Sequence, residues 1–183
     1  MTAFRYALRS ASFATAYLVV YLTCTVLPWF PVPALAVAAV WLTAQTGYGN
    51  RRLDVVMLAT VAMVGATLNG AGLLLCAVAA IVAVLPALLF AVLMQRQLPG
   101  FWQGHGDRFR KPRAALVRLA GIAPLAAATG IVLETVADTG FAAAPAALHF
   151  AIGTATLFLA PLAVRATRTH SDGPGRPTLT VVR

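Results

Sequence analysis

The chain has 183 residues, of which 60% are hydrophobic and only 10% are charged. A soluble core of this length could not bury so much apolar surface, so the composition excludes an ordinary soluble domain. The net charge of +9 does not indicate a nucleic-acid partner, because the basic residues fall between apolar runs. A membrane-spanning helix takes about 20 residues, so about six such helices with short loops would nearly use up the chain.

Apolar segments in chain order predict the helices. The stretch 53–94 is too long for one crossing, and Asn69-Gly70-Ala71-Gly72 near its middle is a turn signal, so we predict two helices there. The second and third helices are short for a crossing. The predicted helices are 13–30, 33–46, 53–68, 73–94, 114–137 and 142–164.

The positions of the basic residues predict the topology. All 14 lie before the first helix or after the second, fourth and sixth, which is one side of the membrane. Positive residues in short loops stay in the cytoplasm, so both termini are predicted to be cytoplasmic. The fold class is therefore all-α, a polytopic transmembrane bundle of about six spans in the cell membrane.

This topology divides the chain into three regions. Residues 1–12 form a cytoplasmic N-terminal segment, residues 13–164 the transmembrane bundle, and residues 165–183 a polar tail that is predicted to be disordered. Arg5 and Arg9 before an apolar run, with Ala34-Leu35-Ala36 after it, also resemble a secretory signal and its cleavage site. The length of the apolar run favours a retained helix.

Small residues recur at every fourth position in two predicted helices. Such a stripe lets helices approach closely, which is a usual packing device in a bilayer. We predict that the stripes pack inside the bundle, and the alternative is a surface for a homodimer or a partner helix. The residues are Ala62, Ala66 and Gly70 in the third helix and Ala79, Ala83, Ala87 and Ala91 in the fourth.

Pro86, Pro124 and Pro161 each lie within a predicted helix. A proline within a helix removes one backbone hydrogen bond and often produces a kink. Kinks can frame a cavity, or they can be ordinary bends.

Polar residues near the outer ends of the last two helices form a candidate ligand-binding site. Glu134 and Asp138 are four residues apart and so share a helix face, while His149 enters the next helix from the same side at a similar depth. Ionisable groups within a membrane are costly unless paired or hydrated, so they are candidates for function. Asn69 could join them from the neighbouring turn. The alternative is that these residues face solvent and headgroups.

Few residues are suited to catalysis. Serine occurs only at Ser10, Ser12 and Ser171, outside the predicted spans, and there is no nucleophile elbow, Walker loop or zinc-protease signature. Cys24 and Cys76 lie in apolar segments, where a thiol behaves as a small hydrophobic group. We therefore expect no enzymatic activity, no cofactor, no disulfide and no metal.

Several short elements resemble a known family. Residues 29–39 combine an aromatic-proline element with an alanine-rich helix, Arg51-Arg52 form a basic turn, residues 95–98 form a basic helix end, and residues 153–162 run into Ala-Pro-Leu. Over roughly residues 25–165 the chain resembles the MASE1 family of bacterial membrane sensory domains. It differs in having Pro33-Ala34 where that family usually has a glycine.

The resemblance implies an input module in a bacterial inner membrane that detects an unknown stimulus and signals to a cytoplasmic partner, often a cyclic-di-GMP synthase or a histidine kinase. The 19 residues after Val164 are too few for such an output domain. The resemblance therefore implies a stand-alone relative that needs a partner, or the input portion of something longer.

Two other classes compete with this interpretation. The substrate-binding subunit of an energy-coupling-factor transporter is similar in size and helix number, but its docking alanines lie in the first helix, whereas the strongest stripe here is in the fourth. A structural membrane subunit would instead pack its alanine faces against a partner helix.

Overall fold

The computed structural model describes residues 3–26, 51–98, 112–137 and 143–171. Within these residues the chain consists of five α-helices and contains no strand, which confirms the all-α prediction for this part. The predicted helix at 33–46, the loop at 99–111 and the end of the tail from residue 172 lie outside the described residues. The helices are α1 (Ala3–Val26), α2 (Arg51–Leu68), α3 (Leu73–Gln97), α4 (Pro112–Ala137) and α5 (Ala143–Ser171).

Three of these helices are long and apolar enough to cross a membrane. They are α3 over its whole length, α4 from Arg113 to Ala137 and α5 from Ala143 to Val164. In the described part of the chain α1 and α2 contribute shorter apolar stretches, Ala11–Val20 and Val55–Leu68. The prediction of transmembrane helices is thus confirmed, although the described residues contain three such helices rather than six.

Large apolar side chains cover much of the surface of these helices. Leu73 is 89% exposed, Leu74 78% and Val136 78%. Soluble monomers rarely expose continuous apolar surface on this scale, whereas lipid chains are a suitable neighbour for it. The exposed leucines and valines therefore agree with a membrane location.

Two helices extend beyond the predicted spans. The first begins at Ala3 rather than at Phe13, and α5 continues through Ser171, into the segment predicted to be disordered. A span ends where apolar residues end, but a helix ends where its backbone hydrogen bonds end. Alanine, leucine and arginine are good helix formers, and cations are favourable in the last turn of a helix, so these polar ends still support helix.

The turn between α2 and α3 lies where the sequence predicts it, at residues 69–72. Gly70 has a φ of +79°, a left-handed conformation that glycine adopts without strain. The Ala71 amide donates to the Ala66 carbonyl at 3.0 Å, and the Gly70 amide donates to the Thr67 carbonyl at 2.9 Å. These two bonds form a Schellman motif, which satisfies carbonyls at the end of α2.

Consecutive helices pack against each other, α1 on α2, α2 on α3, α3 on α4 and α4 on α5. We call the end of the bundle with the 69–72 turn and the α4–α5 connection the turn end. The opposite end, where α3 ends and α4 begins, carries Arg96, Arg113 and Arg118, and we call it the arginine end.

The main hydrophobic core lies toward the arginine end. Its members on α3 and at the following Leu98 begin at Ala87, and those on α4 fall between Ala115 and Ala126. Tyr17 of α1, Leu58 of α2 and Leu157 of α5 complete the cluster. Tight packing is therefore concentrated in one half of the bundle, away from the α4–α5 connection.

The predicted small-residue stripes divide into buried and exposed members. Ala62 and Ala66 of α2 are 3% and 4% exposed, and Ala83, Ala87 and Ala91 of α3 are at most 7% exposed. These alanines pack inside the chain's own bundle. Ala79 is partly exposed, and Gly70 lies in the turn beyond the last residue of α2, so it is not part of a helix face.

The three predicted prolines lie within continuous helices. Pro86 is buried in α3, Pro161 is fully buried in α5, and Pro124 is partly buried in α4. None of them lines the narrow apolar crevice between α1 and α2, which is formed by Phe13, Ala14, Tyr17, Met57, Leu58 and Val61.

Candidate functional site

Glu134 and His149 meet at the turn end. The Nδ1 atom of His149 lies 3.7 Å from the Oε2 atom of Glu134, and the two side chains are 37% and 43% exposed. This distance is too long for a direct hydrogen bond, but it suits an ion pair when the imidazole is protonated, or a bridging water. The pair is therefore half-exposed and accessible to a small polar species.

The hairpin geometry of α4 and α5 explains this contact. Glu134 lies about one turn before the end of α4, and His149 lies nearly two turns after the start of α5. Because the short 138–142 connection makes the two helices antiparallel neighbours, residues near it come to a common depth. The depth predicted for Glu134 and His149 thus agrees with the structure, whereas their role as a ligand site stays a prediction.

Of the other two predicted site residues, the structure describes only Asn69. Asp138 lies outside the described residues. The Asn69 amide nitrogen donates to the Gly65 carbonyl at 2.9 Å, so its side chain caps the end of α2. Between Asn69 and either member of the pair, the structure shows no hydrogen bond or ion pair.

Thr154 of α5 is a further polar group near this region. The hydroxyls of Thr129, Thr135 and Thr156 donate to carbonyls of their own helices at 2.8 to 2.9 Å. The Thr154 hydroxyl is buried and has no hydrogen-bond partner among the described residues. It lies five residues beyond His149, about 7.5 Å deeper along the helix. Buried polar groups normally have a partner, so this hydroxyl has an unused capacity for a water or a polar ligand atom.

No metal centre is formed in the described part of the chain. There, no three histidine, cysteine, aspartate or glutamate side chains come together. The Cys76 thiol is buried and lies 3.3 Å from the Thr67 hydroxyl, near the turn rather than near the pair. Among the described residues, the Glu134–His149 contact brings together one carboxylate and one imidazole.

At the arginine end, Arg118 links two helices. Its Nη1 atom donates to the Gln97 carbonyl of α3 at 3.0 Å. The last carbonyls of a helix have no partner within it, so this bond satisfies one of them and places a cation at the negative end of the helix dipole. In the sequence Arg118 is only one of many basic residues, and nothing local identifies it as a link between α3 and α4.

Comparison of the chain with protein-family models, curated proteins and solved structures finds no match. The MASE1 resemblance, the transporter alternative and the structural-subunit alternative therefore stay predictions.

Proposed function

We propose that this protein is a MASE1-like input module of the bacterial cell membrane, which detects a stimulus at the turn end and signals to a cytoplasmic partner. The observation that carries the proposal is the half-exposed Glu134–His149 pair, which joins two helices that are each able to cross a membrane. The proposal assigns no catalytic role to the protein.

The pair is suited to detection because its members lie on different helices. A proton on His149 creates attraction between α4 and α5, and loss of the proton removes it. A small polar ligand between the two side chains would likewise change how strongly the helix ends hold together. The site therefore converts a chemical change at the surface into a change in contact between two helices.

The proposed topology has six spans with both termini in the cytoplasm, so the arginine end faces the cytoplasm and the turn end faces outward. Its support is the distribution of all 14 basic residues on one side. A partner is expected at the cytoplasmic side, as the MASE1 resemblance implies.

The packing of the alanine stripe gives less support to the transporter and structural-subunit alternatives. Ala83, Ala87 and Ala91 face the chain's own core, so this stripe is not open to a transporter subunit or to a second copy of the chain. A docking role would need a different surface from the one that the sequence suggests.

Cysteine labelling tests the topology. Single cysteines at the Gly104 and Pro174 positions, in a background with Cys24 and Cys76 changed to alanine, are expected to be protected from a membrane-impermeant maleimide in intact cells. A cysteine at the Thr139 position should react, because the proposed topology places it outside. Reaction at the Gly104 position in intact cells would overturn the arrangement.

Replacement of Glu134 tests the pair. In the full chain in mild detergent, Glu134→Gln is expected to lower Tm, because it removes the carboxylate that lies beside His149. Half-exposed pairs contribute at most about 1 kcal/mol, so the decrease should be at most a few degrees.

Asp138→Asn is the control, because it removes a nearby carboxylate that the proposal places closer to solvent. It should leave Tm nearly unchanged. If wild type, Glu134→Gln and Asp138→Asn all have the same Tm, the pair is only a solvated surface contact. Mass spectrometry of the same preparations would identify any small molecule that copurifies, and a defined vitamin would favour the transporter alternative.

A further inference from the structure

The last turn of α3 reaches the headgroup layer of a membrane. Its 25 residues make a helix about 37 Å long, whereas the hydrocarbon core of a bilayer is about 30 Å thick. Including the headgroup layers, the bilayer is about 40–45 Å thick. The ends of α3 that extend beyond the hydrocarbon core therefore lie in the headgroup layers. Arg96 and Gln97, the penultimate and last residues of α3, are therefore at headgroup depth when the helix crosses.

The guanidinium of Arg118 lies at the same depth. Its backbone is five residues inside the membrane-capable part of α4, which begins at Arg113. Its Nη1 atom nevertheless lies 3.0 Å from the Gln97 carbonyl, so the side chain extends back to the end of α3. Long cationic side chains near helix ends commonly extend to the interface in this way. A guanidinium has five N–H donors, and this bond uses one of them.

The arginine end carries three exposed positive side chains in the described part of the chain. Arg96, Arg113 and Arg118 are all exposed, and no carboxylate among the described residues forms an ion pair with any of them. Arg96 is next to Gln97 in the sequence, and Arg113 begins the membrane-capable part of the helix that carries Arg118. The three cations therefore belong to the facing ends of two packed helices.

We propose that the arginine end of α3 and α4 binds the headgroup of an anionic phospholipid. Guanidinium groups donate paired hydrogen bonds to phosphate oxygens, and Arg118 keeps donors for this while it holds Gln97. The depth of these groups selects the partner, because they lie where lipid phosphates lie rather than in the aqueous space beyond. A headgroup bound there contacts both helices and stabilises their junction.

The test is lipid binding by the full chain in mild detergent, measured by native mass spectrometry during titration with phosphatidylglycerol or phosphatidylcholine. Phosphatidylglycerol is expected to bind more tightly. Each basic residue near an anionic surface contributes about a fivefold gain in affinity, so Arg96→Gln and Arg113→Gln should each weaken phosphatidylglycerol binding about fivefold. These two variants leave the Arg118–Gln97 bond in place.

Arg118→Lys keeps the charge but removes the paired N–H donors of the planar guanidinium. It should therefore weaken phosphatidylglycerol binding less than Arg118→Gln does. Arg176→Gln is the charge-matched control in the tail and should bind as the wild type does. The proposal is wrong if both lipids bind with equal affinity, or if Arg176→Gln weakens binding as much as Arg96→Gln and Arg113→Gln do. Either result would mean that binding depends only on the overall positive charge. Competition by inorganic phosphate as strong as that by the lipid, or tighter binding of polyglutamate through the same arginines, would also overturn it, in favour of a free anion or an acidic protein.

Discussion

Phe90→Ala is expected to lower the free energy of unfolding by about 3 to 5 kcal/mol, the largest effect among the substitutions considered. Phe90 has an exposed fraction of 0% and belongs to the core that α3 shares with α4. Its removal would leave a cavity among neighbours that can collapse only in part. The lost packing contacts are expected to lower the stability directly, because lipid provides little other driving force for helix association.

The measurement is unfolding of the purified chain in mixed micelles with increasing dodecyl sulfate. Phe150→Ala is the matched control, because Phe150 is 37% exposed on α5 and the same atoms are removed. Its effect should stay within about 0.5 to 1 kcal/mol. Similar losses for both variants would mean that the core does not lie in the arginine-end half of the bundle.

Ala87→Leu is expected to destabilise the fold by about 1 to 3 kcal/mol through overpacking. Ala87 has an exposed fraction of 0%, and Ala83, one turn away on the same face, has 6%, so Ala83→Leu should act in the same direction. Close approach of helices depends on the absence of side-chain bulk at such positions.

Ala77→Leu is the control for this pair, because Ala77 is an exposed position of the same helix. It should leave Tm in mild detergent nearly unchanged, while the two buried substitutions lower it. If all three variants melt at the wild-type temperature, the stripe contacts lipid rather than other helices.

Local chemistry made the α2–α3 hairpin predictable from the sequence. The Asn69-Gly70 signal depends on one residue that adopts positive φ, and the structure has that residue at Gly70. The ends of α1 and α5 were less predictable, since apolar content defines a span while the helix continues through arginine and threonine. The number of membrane-capable helices likewise depends on residues beyond the described ranges.

The candidate site was predictable in depth but not in detail. Counting residues along two antiparallel helices predicts that Glu134 and His149 lie at the same depth in the bundle. The structure shows their side chains in contact. Counting cannot reveal that the Asn69 side chain is used within its own turn. Nor can it distinguish Thr154, whose hydroxyl has no partner among the described residues, from Thr156, whose hydroxyl donates to the Ile152 carbonyl.

The prolines of the three membrane-capable helices lie at a common depth. Pro86 and Pro124 are each near the middle of their helices, and counted from the Glu134–His149 contact, Pro124 and Pro161 lie about 15 and 18 Å toward the arginine end. Each proline leaves the carbonyl four residues earlier without its amide partner, and a helix bends most easily where that bond is missing. Each of the three membrane-capable helices is thus missing one main-chain hydrogen bond within its length, at a similar distance from the turn end.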